Sequence, residues 1–322
     1  MAVYTHLSAE ELSALIAEYD VGELVSAKGI AEGVSNSNWL VETTTGRFIL
    51  TMYERRIDTA DLPFFLGLLD HLSAKGCPVP RTIHDRSGAA YREIGSKAVA
   101  LIEFLPGVSI DRPNAAQARA VGEALAGMHL ASADFTMSRP NALDISTSHH
   151  TLEQCGKEAL ARIDPALPGM IAEAAALREG WPWDLPTAIC HTDLFPDNVL
   201  MRGERVTGMI DFYFACTEAM AYDLAVTHAA WCFDMPGERF RSDIGRALVE
   251  GYQSVRPLEQ REQDCLPLLA EGACLRFVAS RAEDWLHTPA DALVTRKDPM
   301  EFARRLQFYR DRSGEAFPRN AG

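Results

Sequence analysis

Residues 187–212 read Thr187-Ala-Ile-Cys190, His191-Thr-Asp193-Leu-Phe-Pro-Asp-Asn198, Val199-Leu-Met-Arg202, a Gly203-Glu204 turn, Arg205-Val-Thr-Gly-Met-Ile210 and then Asp211-Phe212. Short apolar runs on both sides of a polar loop predict a strand, a loop and a hairpin that ends at Asp211. This island of strand interrupts a half of the chain that otherwise reads as helix. Downstream, apolar spacing predicts helices near 219–232, 238–254, 259–286 and 299–311, with fraying expected after Arg312. Upstream, 114–131 reads as a helix carrying Val121, Leu125 and Met128, and two more helical stretches are interrupted at Pro165 and Pro168. At Phe104-Leu-Pro-Gly107 the pattern changes to strand. Residues 34–54 read as two strands joined at Thr45-Gly46, and 81–84, 89–94 and 97–104 as further strands. A helix at 60–74 carries Leu62, Phe65, Leu66, Leu69 and Leu72. Ser8 and Glu11 form a capping box for an opening helix that runs towards Gly22. The expectation is an α+β chain of two lobes: 1–104, an antiparallel sheet with one main helix, and 105–322, larger and mainly helical.

The chemistry lies in the spacing. His-x-Asp-x₄-Asn after a strand, then a hairpin, then Asp, matches the kinase catalytic loop and the metal-binding Asp that follows it. Phosphoryl transfer asks little covalent work of a protein; it needs placed metal ions and a carboxylate that orients the attacking hydroxyl. Asp193 suits the carboxylate role. The Asn198 amide oxygen and the Asp211 carboxylate are hard ligands suited to Mg²⁺, which keeps several waters and needs few protein groups. Two other readings compete. One is a surface turn with Asp and Asn as turn formers. The other is a metallohydrolase with His191, Asp193 and Asp211 as ligands, although the His149-His150 pair stands about 40 positions upstream.

Bulk properties narrow the partners. The 322 residues carry a formal net charge of −14. Such a surface repels nucleic acid and anionic membrane, because phosphate binding needs clustered Lys and Arg. Hydrophobic residues make up 47% and charged residues 24%, an ordinary globular profile. Seven cysteines without a Cys-x-x-Cys read as reduced thiols, hence a cytoplasmic setting. Met-Ala-Val-Tyr-Thr-His-Leu-Ser lacks the pattern of a signal peptide, and no apolar run reaches the roughly 18 residues of a membrane span.

Four segments carry a resemblance: Gly29-Ile-Ala-Glu-Gly-Val-Ser-Asn-Ser-Asn-Trp39, Gly46-Arg-Phe-Ile-Leu-Thr-Met-Tyr-Glu54, His191-Thr-Asp-Leu-Phe-Pro-Asp-Asn198 and Leu275-Arg-Phe-Val-Ala-Ser-Arg281. Together they resemble the aminoglycoside-phosphotransferase-like branch of the protein-kinase-like fold and, within it, the type II homoserine kinase family, from the opening helix to about residue 310. The resemblance implies a bilobal fold, ATP and Mg²⁺ as cofactors, and phosphorylation of L-homoserine in threonine biosynthesis. It implies that Ser35, Asn36 and Ser37 cover the phosphates and that Glu103 and Leu105 meet adenine through their backbone. It also makes His191 and Asp223 braces of the catalytic loop rather than reactive groups.

The chain departs from the general kinase pattern in three places. Its phosphate loop has one glycine, the metal motif reads Asp-Phe-Tyr, and Thr51 stands where kinases place the phosphate-binding Lys. Arg55, Arg56 and Lys97 are the candidate replacement cations. An acceptor pocket for an amino acid needs both signs of charge, and the helical half offers His228, Trp231, Arg276, Arg281, Asp284 and Trp285. Of these, Arg276, Arg281 and Trp231 are the expected acceptor residues, since an Arg fork grips both oxygens of a carboxylate. Arg281 and Asp284, three apart on one predicted helix, could instead pair with each other.

Overall fold

The computed structural model describes residues 7–30, 36–54, 58–234, 239–288 and 296–318. The chain forms two compact units: Met1–Gly107 with Thr207–Tyr213, and Val108–Val206 with Phe214–Gly322.

In the first unit, six antiparallel strands form one sheet. They are β1 (Leu24–Ile30), β2 (Asn36–Thr43), β3 (Arg47–Tyr53), β4 (Thr82–Ile83), β5 (Arg92–Ile94) and β6 (Lys97–Glu103). The order is β1-β2-β3-β6-β4, and β5 also pairs with β6. Alternation of side chains gives the sheet two distinct faces. Leu50 and Met52 of β3, Trp39 and Val41 of β2, and Val99 and Leu101 of β6 join Leu12, Leu15 and Ile16 of helix α1 (Ala9–Ile16) in one core. The Ser8–Glu11 capping box closes both ways: the Glu11 N–H donates to Ser8 Oγ at 3.2 Å and the Ser8 N–H to Glu11 Oε2 at 2.8 Å. Thr51 and Tyr53 project to the other face, as does Ala100 opposite Thr51. Helix α2 (Leu62–Ala74) buries Phe65, which meets Tyr213 edge to face at 5.7 Å. Tyr213 also meets Tyr53, at 5.6 Å between ring centres. Thr207–Tyr213 therefore returns to the first unit from far along the sequence, tied by the Met209 N–H to the Pro78 carbonyl at 2.6 Å.

The second unit is built from helices α3 (Ala115–Ala131), α4 (Ile145–Cys155), α5 (Lys157–Ile163), α6 (Met170–Glu179), α7 (Met220–Trp231), α8 (Ser242–Val255), α9 (Gln260–His287) and α10 (Met300–Ala316). Every residue of α7 from Ala221 to Trp231 is buried, as an all-round apolar helix requires. Helices α3 and α8 come close enough that a Cβ on Gly122 would overlap the Leu248 carbonyl, and one on Gly251 the Arg119 carbonyl. Only glycine fits such an approach. Strands β7 (Thr187–Cys190) and β10 (Cys216–Ala219) pair antiparallel, with Cys190 opposite Cys216. β8 (Val199–Arg202) and β9 (Arg205–Met209) form the expected hairpin.

Three readings need correction. The opening helix stops at Ile16, and β1 fills the stretch after Gly22 that carried no strand expectation. β10 was likewise not foreseen. Among the described residues the helix continues past Arg312: it leaves ideal geometry there, yet α10 runs to Ala316, and Phe317 stacks on Tyr309 at 5.9 Å and lies tilted against His228 at 4.6 Å. Packing of that partly buried ring against the two aromatic side chains holds the last turn in place.

Candidate active site

In the second unit, β7 delivers the chain to His191, and a 3₁₀ turn at Pro196–Asn198 leads it into β8. Between them the backbone makes an unusual bend. Thr192 has φ 57°, the left-handed region that a β-branched residue occupies only when its surroundings hold it there. Three groups do so. The Thr192 N–H donates to Asp223 Oδ1 at 2.7 Å, the Thr192 hydroxyl donates to the Phe214 carbonyl at 3.0 Å, and Arg276 Nη1 donates to the Thr192 carbonyl.

Asp223 is fully buried on α7 and accepts from the His191 N–H at 2.7 Å and from His129 Nε2 at 3.0 Å. Burial pushes its carboxyl pKa up. The His129 hydrogen bond, the neighbouring His129 and His191, and the His191 N–H more than offset that, so the group lies below the ordinary carboxylate value. His129 is fixed in turn by Tyr252 Oη at 2.8 Å from Nδ1. His129, Cys190 and Asp223 are the group of metal-ligating types that lies close together among the described residues. It does not fit a metal. Asp223 is already occupied by three donors, and the Cys190 thiol donates to the Glu218 carbonyl at 3.3 Å with its pKa pushed well up by burial. A proton, not an ion, belongs on that sulfur.

Asp193 follows the bend, its side chain about one-fifth exposed. Its N–H donates to His191 Nδ1 at 3.2 Å, so His191 is held as an acceptor at that nitrogen. Asn198 folds back on the loop: Nδ2 donates to the Asp193 carbonyl at 2.8 Å. That bond uses the donor side of the amide, and the oxygen is the atom of the group that can act as a cation ligand. Asp211, in the first unit, is exposed and has φ 66°, the second non-glycine residue in left-handed geometry among the described residues.

The expected nucleotide residues fall in the first unit. Ser35 lies outside the described residues, as do Arg55 and Arg56. Asn36 opens β2 opposite Tyr53, with its Oδ1 buried and without a hydrogen-bond partner. The Ser37 hydroxyl donates to Glu54 Oε1 at 2.8 Å, and Lys97 forms an ion pair with Glu54 Oε2. By strand parity Ser37 shares the face of Met52, and Lys97 that of Val99, which is the α1 side. Thr51 points to the opposite side and donates its hydroxyl to Asn38 Oδ1 at 2.8 Å. Lys97 is thus not a stand-in for a lysine at position 51. Glu103 ends β6, its N–H bound to the Arg81 carbonyl at 3.0 Å, and Leu105 lies in the connection that follows.

The expected acceptor residues have other partners. Arg276 is 3% exposed and bound to Thr192, with Nη2 4.0 Å from Asp193 Oδ1. Trp231 is 1% exposed and donates Nε1–H to the Leu194 carbonyl at 2.8 Å. Arg281 pairs across helices with Glu301 Oε2 at 2.6 Å and lies over the Phe302 ring. His228 is buried among Phe240, Tyr309 and Phe317, and burial lowers its pKa to about 3.

Comparison with known proteins agrees with this architecture. The spectinomycin phosphotransferase APH(9)-Ia superposes with a TM-score of 0.73 at 12% identity, covering 97% of this chain and 100% of the other. The amicoumacin kinase hAmiN gives 0.70 at 13% identity, over 95% and 94%. The fold is that of the protein-kinase-like phosphotransferases. Residues 26–258 match the Phosphotransferase enzyme family. Proteins named homoserine kinase from Methylobacterium sp. (strain 4-46) and Azorhizobium caulinodans are 48% and 49% identical, covering 98% and 96% of both chains respectively. The chain belongs to the phosphotransferase enzyme family and, within it, to the homoserine kinases.

Proposed function

We propose that this enzyme transfers the γ-phosphoryl group of ATP to the hydroxyl of L-homoserine, giving ADP and O-phospho-L-homoserine, a step of threonine biosynthesis. The observation that carries the reading is relatedness near 48% over almost the full chain to proteins named homoserine kinase. The catalytic loop supplies the chemistry. Asp193 receives or aims the hydroxyl proton, held by a backbone that Asp223 fixes from below. The Asn198 amide oxygen and the Asp211 carboxylate are hard donors of the type Mg²⁺ takes; they would hold the ion, which would supply charge neutralisation for phosphoryl transfer. His191 and Asp223 act as braces. Asn36 and its neighbours Ser35 and Ser37 form the phosphate-covering stretch, and the backbone of Glu103 and Leu105 receives adenine. Arg281 is the expected acceptor-carboxylate residue that lies away from the catalytic loop, its guanidinium donating to Glu301 Oε2 and to the Asp298 carbonyl. Homoserine is the small-molecule partner, and the net charge of −14 argues against nucleic acid. No helix among the described residues is long and apolar enough to cross a membrane. All seven cysteines are free, which supports a reducing, cytoplasmic setting.

The test is ADP release with MgATP and L-homoserine, run beside L-serine, L-threonine, choline and kanamycin. Homoserine-dependent turnover, in the roughly 1–100 s⁻¹ range of kinases, is expected. Turnover with kanamycin or choline and none with homoserine would discard the substrate assignment.

A further inference from the structure

Arg and Trp in the helical half suggest ligand contacts, yet the atoms they present go to the backbone of the catalytic loop. Arg276 reaches from α9 to the carbonyl of Thr192, the residue before Asp193. Trp231 reaches from α7 to the carbonyl of Leu194, the residue after it. Both side chains are almost wholly buried, at 3% and 1% exposure, so neither has free surface for an amino acid. Each is itself confined. The Arg276 guanidinium lies over Phe277 at 4.8 Å and Phe214 at 5.5 Å. Next along the loop, Phe195 packs edge to face on Phe277 at 5.0 Å and meets Phe302 at 6.1 Å. The peptide group before Asp193 and the one after Leu194 are therefore pinned, one by a charge-assisted hydrogen bond and one by an indole N–H. Arg276 Nη2 stands 4.0 Å from Asp193 Oδ1, too far for a hydrogen bond. The carboxylate has a second neighbour in Asn198, whose Nδ2 donates to Asp193 Oδ2 at 3.5 Å.

We propose that Arg276 and Trp231 are positioning residues for phosphoryl transfer, fixing the carbonyls on either side of Asp193 and so setting where its carboxylate points. The inference rests on the reading that Asp193 meets the acceptor hydroxyl. Thr192 gives the clamp something to resist: its left-handed backbone would relax towards an extended form if the carbonyl were released, and Asp193 would swing with it.

The experiment measures kcat, homoserine KM and MgATP Kd for the full chain carrying Trp231→Phe, Arg276→Met or Arg276→Lys, each also in an Asp193→Asn background. A misplaced group near the reacting atoms costs about 100-fold. Arg276→Met is expected to lose about that much kcat and Trp231→Phe about tenfold, while homoserine KM and MgATP Kd stay within about threefold. Arg276→Lys should recover part of the loss, because an ammonium can still donate to the Thr192 carbonyl. In the Asp193→Asn background neither clamp variant should lower the residual rate further, since groups acting as a unit are not additive. Should Arg276→Met fail to fold, Arg276→Lys and the near-isosteric Trp231→Phe decide the matter. A homoserine KM raised about tenfold or more with kcat kept would make these residues ligand contacts and overturn the proposal. Unchanged kcat in the clamp variants, with Asp193→Asn inactive, would overturn it and leave the site reading standing. Near-normal turnover in Asp193→Asn alone would bring down both.

Discussion

Two places in the molecule, the catalytic loop and position 51 of the first unit's sheet, treat charge in different ways. Around the catalytic loop of the second unit, charged groups are buried and partnered: Asp223 by three donors, and Arg276 by the Thr192 carbonyl and two aromatic rings, with its Nε left without a hydrogen-bond partner. In the first unit, the strand position that bears a lysine in most kinases holds a neutral pair, Thr51 with Asn38, and the nearby ion pair Lys97–Glu54 lies on the other face of the sheet. A buried charge fixes its partners tightly because losing one leaves an uncompensated ion. A neutral pair holds its neighbours with about 1 kcal/mol. The loop to which the proposed function assigns the nucleophile-orienting carboxylate thus has the rigid kind of support, and the face of the first unit's sheet at position 51 the milder kind.

The largest effect expected is Asp193→Asn, which should keep MgATP affinity and lower kcat by about 1,000-fold, the scale of a positioned acid–base group. Nucleotide binding by calorimetry beside steady-state turnover checks it; a kcat near that of the parent enzyme removes Asp193 from the mechanism. Next is Asp223→Asn. An amide presents donors to the N–H groups of His191 and Thr192, so the variant should lose about 3 kcal/mol of stability as well as activity. Denaturant titration reads the loss, and a change below about 0.5 kcal/mol would end the claim that matched buried charge makes this loop rigid.

His228 sharpens the same contrast with a charge that folding forbids. Its pKa is depressed to about 3 by burial, whereas an unfolded His titrates near 6.5. The unfolded chain therefore binds the extra proton first as pH falls. The stability due to the neutral ring is complete above about 6.5 and is lost as pH drops towards about 3, by on the order of 1.4 kcal/mol per pH unit. His228→Gln should flatten the fall between pH 6 and 4 by that amount. Parallel pH slopes for parent and variant would show that His228 does not govern it.

The catalytic loop was legible in the sequence because its residues are contiguous: one spacing fixed Asp193, Asn198, the hairpin and Asp211 without knowledge of anything distant. The strongly periodic helices were legible for the same local reason. What stayed hidden depends on distant partners. β1 has the exposed, mixed pattern of an edge strand, with Val25 at the surface, and β10 is four residues long. Arg276 and Trp231 read as acceptor contacts because residue type suggests what a side chain can hold, not what it reaches; their partners are backbone carbonyls 84 and 37 positions away. Arg281 likewise meets Glu301, twenty positions on, rather than Asp284 one turn along. The return of Thr207–Tyr213 to the first unit rests on Tyr213 packing with Tyr53 and Phe65, a long-range choice that local pattern does not record.

The smallest expected effect asks most of the comparison. Thr51→Val keeps the volume and the β-branch but removes the hydroxyl, leaving Asn38 Oδ1 without its donor. Thr51 is 4% exposed but Asn38 is only partly buried, so that oxygen can recover water and the loss should be at most about 1 kcal/mol of stability. If position 51 is only a structural pair, MgATP Kd should move by less than about threefold, well under 1 kcal/mol. A tenfold weaker Kd in an equally well-folded variant would mean that the Thr51 hydroxyl stands in for the missing lysine at the phosphates, and the nucleotide sheet would then carry a binding group at the very position where it is neutral. A small Kd change with the expected loss of stability would place phosphate neutralisation on groups other than Thr51.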